Sequence, residues 1–382
     1  MIWINFLHLY QPANSNDYNI KEAADKSYTR IISNLENNSH LCFTLNINGC
    51  LLDRLAELGY SDLIKRLRVL LQKKRIELVG TLAYHPLAPL ISEKEVEKQI
   101  DEQVAILRKY FGKTFKLKGF FLPEMAYSSE VARIIKRKGY QWLILDEISC
   151  SKKIKSVDYQ TLYLDKHSGL KLVFRSRPDS SCYVPNLILS AKKDFYLTAT
   201  DAELYGLRHE DPDQHLEKVC QNKKIETKLI SDYLRNLKHR EAIEVRPSSW
   251  ETTEKEIKKG DYYALWLNQN NKIQKRMWAL ANFVADLEEK YQHDSNYFWF
   301  RWHLVRGLTS CSFWWASGRD FSHNFGPFAW NPEETEKGIN ELVKAVRSLQ
   351  TAAATKLKIK AENKALIIKK MLWRRHWQHF SK

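Results

Sequence analysis

A chain of 382 residues with 44% apolar content is long enough for one large domain or two ordinary ones, and too apolar to be disordered. The net charge of +16 raises nucleic acid as a partner, yet nine Lys or Arg and one Glu lie between Thr355 and Lys382, so half of the excess sits in a short tail and the other 354 residues carry only +8. Six cysteines without a CxxC argue against thiolate zinc and a disulfide framework, and no run reaches the roughly 18 apolar residues of a membrane span.

Met1 to Leu7 is a near-continuous apolar strand that runs without a leader-like segment into His8-Leu9-Tyr10-Gln11-Pro12. Residues 19–36 carry a helical stripe of Ile20, Ala23, Ala24, Tyr28, Ile31, Ile32 and Leu35. A second strand, Leu41 to Leu45, ends in Asn46-Ile47-Asn48-Gly49; Ser61 is expected to cap the helix that follows, to about Lys74. The third strand, Ile76 to Val79, leads through Gly80-Thr81 to the polar and aromatic loop Tyr84-His85-Pro86. Ser92 with Glu95 forms a capping box for a helix to about Phe111.

The fourth strand, Leu117 to Leu122, stops at Pro123-Glu124, and Ser128-Ser129 opens the next helix. A carboxylate on the last residue of a buried strand is costly unless it is used or paired, which makes Glu124 a catalytic candidate on position alone. Tyr140 to Leu145 is the fifth strand, ending in Asp146-Glu147. Residues 150–190 read as irregular, with a hairpin of Gln160–Leu164 and Lys171–Arg175 across His167-Ser168-Gly169. Phe195 to Thr200 ends in Asp201-Ala202-Glu203, a helix is expected from Asp213 to about His239, and Ala242 to Val245 is a last short strand before Trp250.

About seven alternations of strand and helix argue a parallel sheet closed as a (β/α) barrel, with an open doubly wound sheet as the rival topology. The absence of GxGxxG and GxxxxGK[ST] leaves nucleotide binding without support. After Trp250 the pattern is helical: Asn270–Tyr291, Phe298–Trp315 (apolar nearly all round, hence expected buried), Glu333–Ala352, and a basic helix from Lys356 packed through Leu366, Ile367, Met371, Leu372 and Trp377. The expected division is 1–250, a catalytic barrel, and 251–382, an all-helical domain packed on its catalytic face.

His8, Glu124 and Asp201 thus fall at the carboxyl ends of three different strands, and retaining glycoside hydrolysis needs two carboxylates about 5–5.5 Å apart. The motifs are similar to those of glycoside hydrolase family 57. His8-Leu9-Tyr10-Gln11-Pro12 resembles that family's H-x-H-Q-P, with Tyr10 for the second histidine. Gly80-Thr81 with Tyr84-His85-Pro86 resembles the second motif. Gly119-Phe120-Phe121-Leu122-Pro123-Glu124 resembles the third, whose glutamate is the nucleophile, and Asp201-Ala202-Glu203 with Gly206 resembles the fourth, whose aspartate is the acid/base. The fifth would be Leu308 to Trp315, without the aspartate that many members carry.

The resemblance implies a (β/α)7 barrel and retaining chemistry on α-glucan-type substrates, of the amylase, 4-α-glucanotransferase or branching type, with no metal or other cofactor. Glu124 would be the nucleophile and Asp201 the acid/base, with His8 or His85 holding Glu124 ionised. His8, Gln11 and Glu203 are expected on sugar hydroxyls, His85 beside them, and Tyr84, Trp250, Trp314 and Trp315 as stacking platforms. A loop ion pair of Glu203 with Arg208 is the competing use of that carboxylate. The expected partner is an α-glucan or oligosaccharide, with neither a membrane nor nucleic acid, in a cytoplasmic setting. Two other readings stand beside this one: a metal-dependent polysaccharide deacetylase, which would want an i, i+4 histidine pair or paired aspartates after the first strand, and a non-catalytic carbohydrate or polyanion binder using the basic tail.

Overall fold

Strand β1, Ile2–Leu9, is apolar at almost every position because both of its faces are covered. In the computed structural model, which describes residues 1–151, 157–317 and 329–380, it pairs in parallel with β2 (Phe43–Ile47) on one side and β8 (Phe195–Asp201) on the other. Five residues of the irregular 150–190 stretch and the last two of the basic tail lie outside the described residues. The chain divides into two units: Met1–Ala83 with Ser92–Trp250, and Tyr84–Ile91 with Glu251–Lys382.

In the first unit, β2 continues to β3 (Ile76–Leu78), while β4 (Gly119–Phe121), β5 (Trp142–Asp146) and β7 (Lys171–Arg175) form a second parallel run. Two seams join the runs. Gly80 bridges Phe120 in parallel, with Gly80 N–H donating to Gly119 O at 2.9 Å, and Ser176 N–H donates to Leu197 O of β8 at 3.2 Å. The order β1-β2-β3-β4-β5-β7-β8 and back to β1 is a (β/α)7 barrel.

Alternation along the strands separates two cores. Ile4, Phe6, Phe121, Ile144, Val173, Leu197 and Ala199 fill the barrel interior, whereas Trp3, Leu7, Phe43, Leu45 and Tyr196 face helix residues such as Ile20, Tyr28, Ile31 and Leu35. Phe121 stacks on Phe6 with ring centroids 5.4 Å apart. Both are fully buried, so truncating Phe121 to Ala would cost about 3–5 kcal/mol. The same parity carries His8 and Asp201 inward at the carboxyl ends of β1 and β8, where they are register partners.

Some elements differ from expectation. The hairpin forms, as β6 (Thr161–Asp165) against β7, but β7 supplies the wall strand between β5 and β8. The last strand is β10, His239–Ile243, and it pairs with β6 and not with the wall. The expected helix from Asp213 is two short ones, His215–Gln221 and Ile230–Asn236, around β9 (Glu226–Thr227), which pairs with β1. The polar stretch Asn222-Lys223-Lys224 has no stripe to bury, and the Asn222 side chain accepts from Lys224 N–H instead. Ser92 and Ser128 cap their helices through Glu95 and Val131 N–H at 3.2 and 3.3 Å, while Ser61 lies inside its helix and caps nothing.

The second unit is helical: Glu254–Lys259, Lys272–Lys290, Tyr297–Gly307, Ser310–Trp314, Pro332–Ser348 and Thr355–Phe380. The apolar run 298–315 is broken at Thr309, which bridges Pro86, while Ser310 N–H donates to His85 O at 2.9 Å. Phe298 and Trp299 are exposed, contrary to the expectation that the whole run is buried. Gly307 allows the close approach of Pro332–Ser348: a Cβ there would meet Leu342 Cγ at 2.6 Å. The last helix is also turned differently. It buries Ala361, Ala365, Ile368 and Leu372, and leaves Leu366, Ile367 and Trp377 exposed. Two alanines one turn apart let the helix sit close, and 361, 365, 368 and 372 make an equally regular stripe.

Candidate active site

Glu124 follows β4 in a single 3-10 turn, Pro123–Met125, with left-handed backbone (φ 60°, ψ 15°), and Met125 repeats it at φ 50°. Two consecutive non-glycine residues in that region are strained, so the surroundings must hold them there. The segment after β10 does so. Tyr127 N–H donates to Ser248 O at 2.9 Å, Trp250 N–H donates to Glu124 O at 3.0 Å, and Trp250 Nε1–H donates to Glu124 Oε2 at 2.9 Å. Trp250 is itself fixed. Its ring lies against Phe121 (5.9 Å) and His8 (6.1 Å), the Arg175 guanidinium covers it at 5.0 Å, and Arg177 donates to its carbonyl at 2.7 Å. Both arginines are anchored on buried Asp146, at 2.7 and 2.9 Å. Trp250, expected as a sugar platform, is thus also the support of Glu124.

His8 is 3% exposed, stacked on Tyr10 and tilted on Phe121. Its Nδ1 lies 2.7 Å from Asn46 Oδ1 on the neighbouring strand. Burial depresses its pKa from 6.5 to about 4, against the upward pull of Asp201 and of the Asn46 bond. The ring is neutral at pH 7, so Nδ1 carries the proton toward Asn46 and Nε2 is left as an acceptor. The expected role as a cation beside Glu124 falls away, and the Trp250 Nε1–H donor takes its place.

Asp201 ends β8, and its Oδ2 accepts from Arg208 Nη1 at 2.7 Å. The competing pairing of Arg208 with Glu203 is thereby corrected: the guanidinium bonds the aspartate. Glu203 is 1% exposed, and its Oε1 accepts from Tyr28 OH, from Gln11 Nε2 at 3.2 Å and from Tyr10 N–H at 3.4 Å. Burial pushes its carboxyl up, Arg208 pulls it down, and Asp201 pushes it up again. A carboxylate so enclosed ties the ends of β1 and β8 to the helix carrying Tyr28. It is not exposed to a sugar hydroxyl, and Gln11 is spent in part on holding it.

The remaining expected residues belong to the second unit. Tyr84 lies under the Arg306 guanidinium at 5.4 Å, and the same group covers Trp302 at 3.3 Å. His85 is buried, with φ 57° and Nδ1 2.9 Å from Ser310 Oγ; Trp314 and Trp315 are half-buried. Among the described residues no group of three His, Cys, Asp or Glu side chains is placed to hold a metal ion. Sequence reasoning missed Asn46, Asp146, Tyr28, Arg175 and Arg177. Only Asn46 and Asp146 gave a signal, as polar residues closing apolar strands.

The fold and this site define a (β/α)7 barrel with carboxylates at the carboxyl ends of its strands, fixed by an aromatic and arginine network. Residues 5–181 match the family model of glycosyl hydrolase family 57. The chain is 24% identical over 215 residues to the alpha-amylase 1 of Dictyoglomus thermophilum, a stretch that covers 53% of this chain and 31% of that protein. It spans under a third of the length of the curated relatives it matches. The GH57-type branching enzyme of Pyrococcus horikoshii superposes with a TM-score of 0.70 at 14% identity, over 96% of this chain and 94% of that one. The 4-alpha-glucanotransferase of Thermococcus litoralis does so at 0.69 and 16%, over 92% and 59%. At these identities the structural likeness speaks for the fold.

Proposed function

We propose that the chain is a retaining glycoside hydrolase or transglycosylase acting on α-glucan-type oligo- or polysaccharides, with Glu124 as nucleophile and Asp201 as acid/base. The observation that carries this is the clamp on Glu124: strained backbone, held by main-chain and indole hydrogen bonds from one residue, at the end of a barrel strand. A surface glutamate would need none of this support. The names of the relatives, amylase and glucanotransferase, support the substrate class.

In the first step a Glu124 oxygen attacks the anomeric carbon as the bond to the leaving oxygen breaks, and Asp201 gives its proton to that oxygen. In the second, water or a glucan hydroxyl gives its proton to Asp201 and displaces Glu124. Arg208 donates to Asp201 Oδ2, which leaves Oδ1 as the oxygen that gives and takes the proton. Neutral His8, the register partner of Asp201, stands beside the proposed acid/base without adding a charge to it. Incubation with maltooligosaccharides and with glycogen, followed by separation of products by size, tests the proposal. Shorter chains mean hydrolysis, and a redistribution to longer and shorter ones means transfer. No change with either substrate contradicts the proposal.

A further inference from the structure

The proposed sugar chemistry leaves one conspicuous surface unused, the outward face of the helix Thr355–Phe380. With Ala361, Ala365, Ile368 and Leu372 turned inward, Ile359, Leu366, Ile367 and Trp377 stand 56%, 62%, 46% and 59% exposed. At 1.5 Å per residue the line from Ile359 to Trp377 is about 27 Å long. Lys356, Lys370 and Arg374 are exposed at helical positions on the same side. The helix carries a single acidic residue, Glu362, and Arg347 of the preceding helix pairs with it. Large apolar side chains interleaved with cations, and no exposed carboxylate among them, leave a face that water solvates poorly.

We propose that this face docks on an anionic lipid surface, with the helix axis in the plane of the bilayer. The four apolar side chains would sink to the level of the acyl boundary while lysines and Arg374 meet the phosphates. Charge and chemistry select this occupant. An uncharged glucan has no use for the cations. A second copy of the chain would set a tail of net +8 against another of the same sign. A nucleic acid would take the cations and stack on Trp377, but it gains nothing from Ile359, Leu366 and Ile367. Docking here is peripheral, because no helix among the described residues is long and apolar enough to cross a membrane.

The test is co-sedimentation of the full chain with vesicles of phosphatidylcholine alone and of phosphatidylcholine with about 30% phosphatidylglycerol. Two double variants accompany it, Leu366→Ser with Ile367→Ser, and Lys370→Gln with Arg374→Gln. All four residues are exposed or partly so, and unchanged circular dichroism would show that the fold is kept. Binding is expected only to the anionic vesicles, weakened about tenfold or more by each double variant and by raising NaCl from about 0.1 to 0.5 M. Equal binding to both vesicle types, or binding to neither, overturns the proposal. So does loss only in the charge variant together with tight binding of single-stranded RNA, which would make the face a polyanion site. A dimer in sedimentation equilibrium that the serine variant dissociates would assign the face to a second copy.

Discussion

Lowering the pH from 7 to 5 should destabilise the protein through His8. In the folded chain burial keeps His8 neutral down to about 4, whereas an unfolded chain protonates it near 6.5. Between those values the unfolded state binds more protons, so stability is complete above 6.5 and is lost as the pH falls toward 4. For a single site with these two pKa values, the loss between pH 7 and pH 5 comes to about 2 kcal/mol. His8→Gln removes the titration while keeping a polar side chain. Urea unfolding of both proteins, followed by far-UV circular dichroism at the two pH values, isolates the effect as a difference of differences. The wild type should lose about 2 kcal/mol more than the variant over this range. An equal loss in both would mean that His8 titrates normally in the folded state, and the neutral acceptor assigned to the site would be wrong.

Trp250→Phe keeps the ring against Phe121 and His8 but removes the indole donor from Glu124 Oε2; a charge-assisted bond of about 1.5–3 kcal/mol predicts a fall in kcat of about 10- to 150-fold with little change in fold, read by steady-state kinetics. Tyr28→Phe leaves buried Glu203 short of one donor and should cost about 1–3 kcal/mol of stability in denaturant unfolding. Asp201→Asn should lose most activity on poor leaving groups and recover part of it on activated aryl glycosides, which depart without a proton.

Much of the barrel was legible because its strands are apolar on both faces, and a run such as Ile2–Leu9 has few other structures open to it. Parity then carried His8 and Asp201 to the inside without further information. What escaped was long-range pairing. Nothing local in Lys171–Arg175 distinguishes an outer hairpin arm from a wall strand, and Ala242–Val245 is too short to announce which edge it joins. The helix Thr355–Phe380 offered two regular apolar stripes, and the one lined by alanines was buried, since small side chains permit close packing that bulky ones prevent. At the site, strand-end carboxylates were visible in the sequence, but their partners were not. Trp250 lies 126 positions from Glu124, and only the fold brings its indole donor onto that carboxylate.

The nucleophile assignment is tested most directly by trapping. A 5-fluoro α-glucosyl fluoride reacts in the first displacement and then turns over slowly, so a retaining enzyme accumulates the glycosyl-enzyme. Digestion and mass spectrometry should place the added fluorosugar on the peptide containing Glu124, and Glu124→Gln should take up none. A label on another carboxylate, or no label alongside products of inverted anomeric configuration, would contradict the account.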